Sequence, residues 1–185
     1  MNPVPVWSGQ VTARPLGVLR VWATEAGVRR IDFESRPDQV RPDEALSSDP
    51  APPHLAAALA QLREYVAGTR TTFDLPLDLS PVTPFQLRVY EQLLRIPHGR
   101  VVTYGTVARD IGEDASLARA VGQAVGANPI AIVVPCHRVV AADGRLVGFG
   151  GGIGRKAALL RLEGIHVDGT RPSSRVHPEI IRLPI

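Results

Sequence analysis

The chain of 185 residues contains a single cysteine, Cys136, and a single lysine, Lys156. One cysteine cannot form an internal disulfide, and it cannot build a thiolate zinc site without several histidines or carboxylates. A chain with one free thiol is typical of a reducing compartment. We therefore expect a cytoplasmic protein.

Long apolar runs are also absent. No segment approaches the roughly 20 apolar residues that a membrane-spanning helix needs, and the N-terminus lacks a basic region followed by an apolar signal core. We expect a soluble protein with no membrane partner. Apolar residues still make up 44% of the chain, which is enough for one substantial core or two small ones.

The formal net charge is a modest +3, and many of the arginines lie between Arg88 and Arg161. This distribution favours an anionic partner, although an arginine excess can also reflect genome composition.

The first part of the chain has the pattern of a small α/β domain, which we assign to residues 1–78. Its patterns predict a hairpin over residues 11–34, a loop over 36–53, a helix from Leu55 to Val66 and a strand from Phe73 to Leu79. The stretch from Leu79 to Val82 is typical of a linker.

The second part, residues 79–166, is richer in helices. Thr83, Pro84 and Gln86 match a capping box with proline at the first helical position. The patterns predict helices from Thr83 to about Ile96, Thr103 to about Gly112, Ser116 to about Gly126 and Arg155 to Glu163, and a buried strand from Ile130 to Val134. Residues 165–185 show no pattern, and we interpret residues 167–185 as a tail.

Two short helices joined by a turn of three or four residues favour a helix-turn-helix. The second of them, from Leu117 to Gly126, has almost no long polar side chain except Arg119. Its small residues suit close approach to a narrow groove of a nucleic acid, and they suit close packing against another helix equally well.

Cys136 ends an apolar stretch and is followed directly by His137. A free thiol has a pKa of about 8.5, so a nucleophilic cysteine needs a base or a positive field. Neighbouring side chains on a strand point to opposite faces, so His137 can serve as that base only across a turn or a bridging water. Pro135 favours such a turn.

A catalytic histidine also needs an acceptor on its other ring nitrogen. Glu163 is the best candidate, because an acid in the last turn of a helix opposes the helix dipole and calls for a partner. Each of these residues has a plainer interpretation: Cys136 as an inert core residue, Glu163 as a solvent-facing acid, Asn128 as an ordinary turn residue and Tyr104 as a core tyrosine. The loop from Gly148 to Gly152 lacks Walker or GxGxxG spacing, so we expect no nucleotide cofactor.

The run from Pro135 to Val139 resembles the active-site signature of the O6-alkylguanine-DNA alkyltransferases, also called methylated-DNA–protein-cysteine methyltransferases. The resemblance covers roughly residues 81–165 in order and spacing. It includes Val102–Tyr104, Ala118–Gly122, Asn128–Pro129, Gly148–Gly152 and Leu160–Gly164.

This resemblance implies an α/β (α+β) fold, with an antiparallel, ribonuclease-H-like N-terminal domain and a mainly helical, winged helix-turn-helix C-terminal domain. It implies that Cys136 accepts an alkyl group irreversibly from O6-alkylguanine, and also from O4-alkylthymine, without a cofactor. His137 would act as the base through water, Glu163 would orient it, Asn128 would brace the turn and Tyr104 would donate to the departing guanine.

The resemblance also implies a pocket and a DNA surface. The pocket residues would be Val139, Phe149, Gly150, Gly151 and Lys156, with the backbone carbonyls of Cys136 and Val139 accepting from the guanine amine. The residues at the DNA would be Thr103, Ala120, Gly122, Arg138 and Arg119, the last filling the space of the rotated-out nucleotide. The partner would be double-stranded DNA, bound by a monomer that could associate with further copies along the duplex.

Some features depart from the family. The cysteines that hold a structural zinc in some members are missing here, so we expect no metal. Ala131 replaces a proline that some relatives carry in the pocket wall, which leaves the tolerance for bulky alkyl groups open. Two rival functions remain: a Cys–His hydrolase using Cys136, His137 and Asn128, and a non-catalytic protein that recognises alkylated DNA.

Overall fold

The computed structural model describes residues 3–33 and 44–177. The chain divides into two compact units, one up to Pro81 and one from Val82 onward. The division lies close to the linker that the sequence suggests. None of the helices in the described ranges is both long and apolar enough to cross a bilayer.

The N-terminal unit is built on a four-stranded sheet. Its strands are β1 (Val4–Ala13), β2 (Gly17–Thr24), β3 (Gly27–Phe33) and β4 (Glu44–Leu46), and they lie in the order β3-β2-β1-β4. The predicted hairpin is confirmed as the antiparallel pair β2 and β3. β1 pairs antiparallel with β2, whereas β4 pairs parallel with β1.

Two predictions for this unit need correction. The sequence suggested a loop over residues 36–53, but Glu44–Leu46 is a strand, and residues 36–43 lie outside the described residues. The predicted strand from Phe73 to Leu79 is wrong, because that segment makes only an isolated bridge between Leu77 and Val28. The predicted helix is confirmed as α1 (Pro53–Val66), which buries Leu55, Ala58, Leu62 and Tyr65.

The C-terminal unit contains α2 (Pro84–Leu94), α3 (Tyr104–Asp110), α4 (Ala118–Gly126) and α5 (Ile153–Leu162). The capping box at the start of α2 is confirmed, with Thr83 and Gln86 bonding each other reciprocally. Two short strands, β5 (Val102–Thr103) and β6 (Val139–Val140), pair in parallel. α3 and α4 are the two helices expected of the helix-turn-helix, but residues 111–117 join them, a longer connection than the predicted turn, with a 3-10 turn at Ala115–Leu117.

The predicted strand from Ile130 to Val134 is wrong, although its residues are buried as expected. The segment turns instead of extending: the amide of Val134 donates to the carbonyl of Ile130 at 2.9 Å. Ile132 adopts a φ of +78°, a left-handed conformation that is rare for a β-branched residue. Cys136 is therefore delivered by a compact buried turn.

The expected tail also requires correction for its first part. Ile165, Val167 and Val176 belong to a buried apolar cluster with Val101, Val140, Leu146, Ala157 and Leu160. Residues 165–177 thus contribute three apolar side chains to the core of the C-terminal unit, although most of the other residues in this segment are exposed. Residues 178–185 lie outside the described residues.

Candidate active site

Cys136 begins a single 3-10 turn, Cys136–Arg138, that follows Pro135. The turn departs from strand geometry, as the proline suggested, so the side chains of Cys136 and His137 are not forced to opposite faces. The thiol-bearing residue is only 3% exposed and His137 is fully buried. The site therefore lies inside the protein.

Glu163 is the hub of this site. It caps the C-terminus of α5 and is buried, so the solvent-facing alternative is wrong. One carboxylate oxygen lies 2.8 Å from Nε2 of His137 and 2.8 Å from Nη2 of Arg138. The other accepts from Nε of Arg138 at 3.0 Å and from the amide of Gly99 at 3.2 Å.

The charges of this cluster follow from its contacts. Burial favours a neutral Glu163, but the hydrogen bonds from His137 and Arg138 and the positive charge of Arg138 outweigh it and hold the pKa of Glu163 well below its usual value. Burial is the main reason why the pKa of His137 lies below its ordinary value of 6.5, although Glu163 works against this shift. At neutral pH, Glu163 is therefore ionised and His137 is uncharged.

These charges select a tautomer for His137. An ionised carboxylate can only accept hydrogen bonds, so Nε2 of His137 must carry the proton that it shares with Glu163. The lone pair of the neutral ring then lies on Nδ1. Nδ1 is the atom of His137 that can take up a proton.

Asn128 organises the buried turn before Cys136. Its side-chain amide donates to the carbonyl of Val134 at 2.9 Å, and its carbonyl oxygen accepts from the amide of Ile130 at 3.0 Å. Burial raises the pKa of the Cys136 thiol, while a hydrogen bond from Asn128 and the charge of Lys156 oppose the rise. The resting cysteine is therefore a thiol that needs a base.

A second group of contacts joins Tyr104, Lys156 and Val147. The hydroxyl of Tyr104 and the ammonium of Lys156 donate to the same carbonyl, that of Val147, at 2.9 Å and 2.7 Å. Lys156 also donates to the carbonyl of Val139 at 2.5 Å. Burial, with a contribution from Cys136, raises the pKa of Tyr104 above its ordinary value of 10, so its phenol remains a proton donor at neutral pH.

Two of the predicted pocket residues, Lys156 and Val139, take part in this second group. Lys156 and Val139 are both fully buried. The carbonyl of Val139, which was expected to accept from the guanine amine, already accepts from Lys156. Phe149 is 9% exposed. Gly150 is exposed and Gly151 is partly exposed.

The predicted DNA residues lie mostly at α3 and α4. Arg119 is exposed at the start of α4, and Ala120 and Gly122 are partly exposed. Thr103 caps α3 by accepting from the amide of Thr106. The assignment of Arg138 to the DNA surface requires correction, because its guanidinium is buried and bonds Glu163 and, at 2.6 Å, the carbonyl of Ile96.

The sequence did not reveal several backbone partners. The carbonyls of Ile96 and Val147 and the amide of Gly99 complete the two groups of contacts. Tyr90 was missed too: its hydroxyl donates to the carbonyl of Ala124 at 3.0 Å and ties α2 to α4. Main-chain partners carry no side-chain signal, so no motif could have identified them.

Comparison with known proteins agrees with this geometry. Residues 84–165 match a family model described as the 6-O-methylguanine DNA methyltransferase, DNA binding domain, and residues 10–79 match the ribonuclease-like domain of the same methyltransferase. The methylated-DNA–protein-cysteine methyltransferase of Mycobacterium tuberculosis is 54% identical over 114 residues, which are 62% of this chain and 68% of that protein. The chain belongs to this family.

Other relatives carry two different names. A protein of Thermus thermophilus named DNA base-flipping protein is 43% identical over 151 residues, or 81% of this chain and 95% of that protein. A methylated-DNA–protein-cysteine methyltransferase of Methanosarcina acetivorans is 38% identical over 151 residues, or 81% of this chain and 94% of that protein. The predicted family is confirmed. The predicted enzyme class, a methylated-DNA–protein-cysteine methyltransferase, is also the one named for the methyltransferase relatives.

Solved structures confirm the fold class. A crystal structure of the O6-methylguanine methyltransferase of Mycobacterium tuberculosis matches with a TM-score of 0.73 and 42% identity, covering 85% of this chain and 92% of that one. The complex of Mycobacterium tuberculosis OGT with DNA matches with a TM-score of 0.72 and 42% identity, covering 86% and 92%. DNA is thus the macromolecule bound by a close structural relative.

The ion pair of Glu163 and Arg138 provides a first test. Replacing Glu163 by Gln leaves the buried Arg138 charge without its counterion, so we expect the free energy of unfolding to fall by about 3–5 kcal/mol. The double variant Glu163→Gln, Arg138→Met should recover much of this loss. Urea denaturation of the full chain measures all three proteins.

The exposed pair of Arg88 and Glu113 is the matched control for this cycle. Replacing Glu113 by Gln should change the free energy of unfolding by no more than about 1 kcal/mol. Equal losses for Glu163→Gln and Glu113→Gln would contradict the role assigned to the buried pair.

Proposed function

We propose that this protein repairs DNA by transferring the alkyl group of O6-alkylguanine, and of O4-alkylthymine, to the sulfur of Cys136. The observation that carries the proposal is a buried thiol whose sequence neighbour, His137, is kept neutral by burial and is oriented by the ionised Glu163, with its proton on Nε2. The names of the methyltransferase relatives support the same reaction. No diffusible cofactor takes part.

The transfer begins with the removal of a proton. His137 accepts the thiol proton of Cys136 at Nδ1 through a bridging water, and Glu163 stabilises the imidazolium that forms. The sulfur then attacks the alkyl carbon. A carbon–sulfur bond forms, the bond between that carbon and O6 breaks, and its electron pair leaves with the guanine. The thioether is stable, so each chain reacts once.

Tyr104 assists the leaving group. Its phenol is protonated and sits beside Val147, whose carbonyl is also bonded by Lys156. When the guanine enters, the Tyr104 hydroxyl turns from this carbonyl and donates a hydrogen bond to N3 of the base, which stabilises the negative charge that develops on the departing guanine. Lys156 keeps the carbonyl satisfied after the hydroxyl has moved.

The buried position of Cys136 requires that the damaged nucleotide leave the duplex. A stacked base cannot reach the sulfur of a cysteine residue that is only 3% exposed, so the nucleotide rotates into the protein at a cost of a few kcal/mol. The small residues of α4 admit the helix to the minor groove, and the exposed Arg119 fills the space left in the stack. The active form on duplex DNA is a monomer.

The decisive experiment maps the adduct. After incubation with excess duplex containing O6-methylguanine, peptide mass spectrometry should show one methyl group per chain, on the peptide of Cys136, because the thioether cannot turn over. A Cys136→Ala variant should bind the duplex and remain unmodified. Equal modification of that variant, or repeated release of product from one chain, would refute the proposal and favour another acceptor or a hydrolase.

A recognition protein without chemistry is the second candidate, since one relative is named a DNA base-flipping protein. Cys136 and the Glu163–His137 pair favour chemistry, because recognition alone needs neither a nucleophile nor its base. Tight binding of methylated duplex with no change in the mass of the chain would support this candidate.

The role of Arg119 predicts a split between two substrates. Arg119→Ala should slow repair of a methylated duplex by about tenfold or more, because the empty stack no longer has a substitute for the extruded base. The decrease in the rate of this variant on free O6-benzylguanine should be much smaller. Single-turnover rates on both substrates measure the difference.

Arg109→Ala is the control. This substitution removes the same positive charge from an exposed position on α3. It should weaken DNA binding in a way that excess protein restores. An equal decrease in the rate of Arg119→Ala on both substrates would exclude the role of Arg119 in extrusion.

The lowered pKa of His137 predicts an unusual pH profile. Transfer needs the neutral imidazole, and the neutral form persists below pH 6.5 because the pKa of His137 is depressed. The single-turnover rate at saturating protein should therefore stay constant as the pH falls through 6.5 and decline only at lower pH. A rate that is halved at about pH 6.5 or above would show an ordinary histidine and contradict this account.

A further inference from the structure

The segment of residues 166–177 lies beyond the part of the chain matched by the family model, which ends at residue 165. It is nevertheless built into the C-terminal unit, and we call it the C-terminal brace. Val167 and Val176 are 4% and 1% exposed and pack in the cluster that contains Val140 and Leu146. The brace therefore has a structural partner that can be identified.

The partner is the segment between β6 and the glycine loop. The amide of Leu146 donates to the carbonyl of Ser174 at 2.9 Å, and the amide of Val176 donates to the carbonyl of Gly144 at 3.0 Å. Arg145 and Arg175 face each other in an antiparallel bridge. These bonds clamp residues 144–146 from the side of the brace.

The clamped segment leads directly into the pocket wall. The next residue, Val147, offers the carbonyl that accepts from Tyr104 and Lys156. Gly148 follows with a φ of +63°, and a Cβ at that position would lie 2.7 Å from the hydroxyl of Tyr104. A small shift of residues 144–146 would therefore move both the Val147 carbonyl and the start of the glycine loop.

The brace is itself held in a fixed shape. Nη2 of Arg161 donates to the carbonyls of Val167 and Gly169, each at 2.9 Å. Val167 and Val176 form a second antiparallel bridge, and the amide of Arg175 donates to the side chain of Asp168 at 2.7 Å. The segment can thus transmit the position of α5 to residues 144–146.

From these contacts we propose that the C-terminal brace is a positioning element for alkyl transfer, holding the Val147 carbonyl and the glycine loop in register with Cys136 and Tyr104. The inference rests on the proposed function. It assigns no chemistry to the brace, and it predicts an effect on the chemical step rather than on DNA binding.

The test uses Val176→Ala in the full chain. Loosening the brace should lower the limiting single-turnover rate on duplex O6-methylguanine about tenfold. A displacement of about 1 Å can cost roughly a hundredfold in rate, and we expect a smaller displacement here. The protein concentration at half-saturation and the affinity for undamaged duplex should change by less than about twofold, because they depend on phosphate contacts elsewhere. Rates are compared at a temperature where circular dichroism shows each variant fully folded.

Val89→Ala is the matched control. It removes the same two methyl groups from a fully buried position in α2, outside the cluster of the brace. The limiting rate of this variant should stay within about twofold of the unmodified protein. If Val176→Ala and Val89→Ala have the same limiting rate, or if Val176→Ala weakens binding of undamaged duplex as much as it slows transfer, the inference is overturned.

A milder variant keeps the test decisive if Val176→Ala does not fold. Arg161→Ala removes the two hydrogen bonds that this exposed side chain makes to the brace. The limiting rate should fall about threefold, because the same groups are displaced by a smaller distance. An unchanged limiting rate would overturn the inference. Failure of the proposed function looks different, because the unmodified protein would then acquire no methyl group on Cys136.

Discussion

The carboxylate of Glu163 is the interaction on which the rest of the site depends. It is buried at the end of α5 and satisfied by His137, by Arg138 and by the amide of Gly99. Arg138 compensates the buried negative charge, so Glu163 stays ionised and His137 can stay neutral with its lone pair on Nδ1. One acid thus joins three distant segments and prepares a base beside the only thiol.

Much of the site could be predicted from the sequence because its chemistry is carried by rare residue types. A single cysteine beside a histidine suggests that the histidine activates the thiol and needs an acceptor itself, and an acid at a helix C-terminus needs a positively charged or hydrogen-bonding partner. Glu163 meets both conditions, because it bonds His137 and Arg138. The capping box of α2 and the hairpin of β2 and β3 were equally readable, since each rests on local spacing.

The errors share a physical cause, which is that long-range contacts override local pattern. Ile130–Val134 has the composition of a buried strand, but Asn128 bonds both ends of the segment and holds it as a turn. Arg138 carries the charge expected of a DNA contact, but Glu163 recruits it to the core. Residues 165–177 lack periodicity and still contribute Val167 and Val176 to a core, through pairing that depends on residues 144–146.

The site is therefore prepared before any DNA arrives, with its charges fixed by burial and pairing. The central claim is that burial keeps His137 neutral while the carboxylate of Glu163 fixes its proton on Nε2, which leaves Nδ1 as the base. Nitrogen-15 NMR of the histidine-labelled protein at neutral pH tests it most directly. The account predicts a neutral His137 ring with its proton on Nε2, unchanged when the pH is lowered through 6.5. A charged His137 ring at neutral pH, or a proton on Nδ1 in the neutral ring, would contradict it.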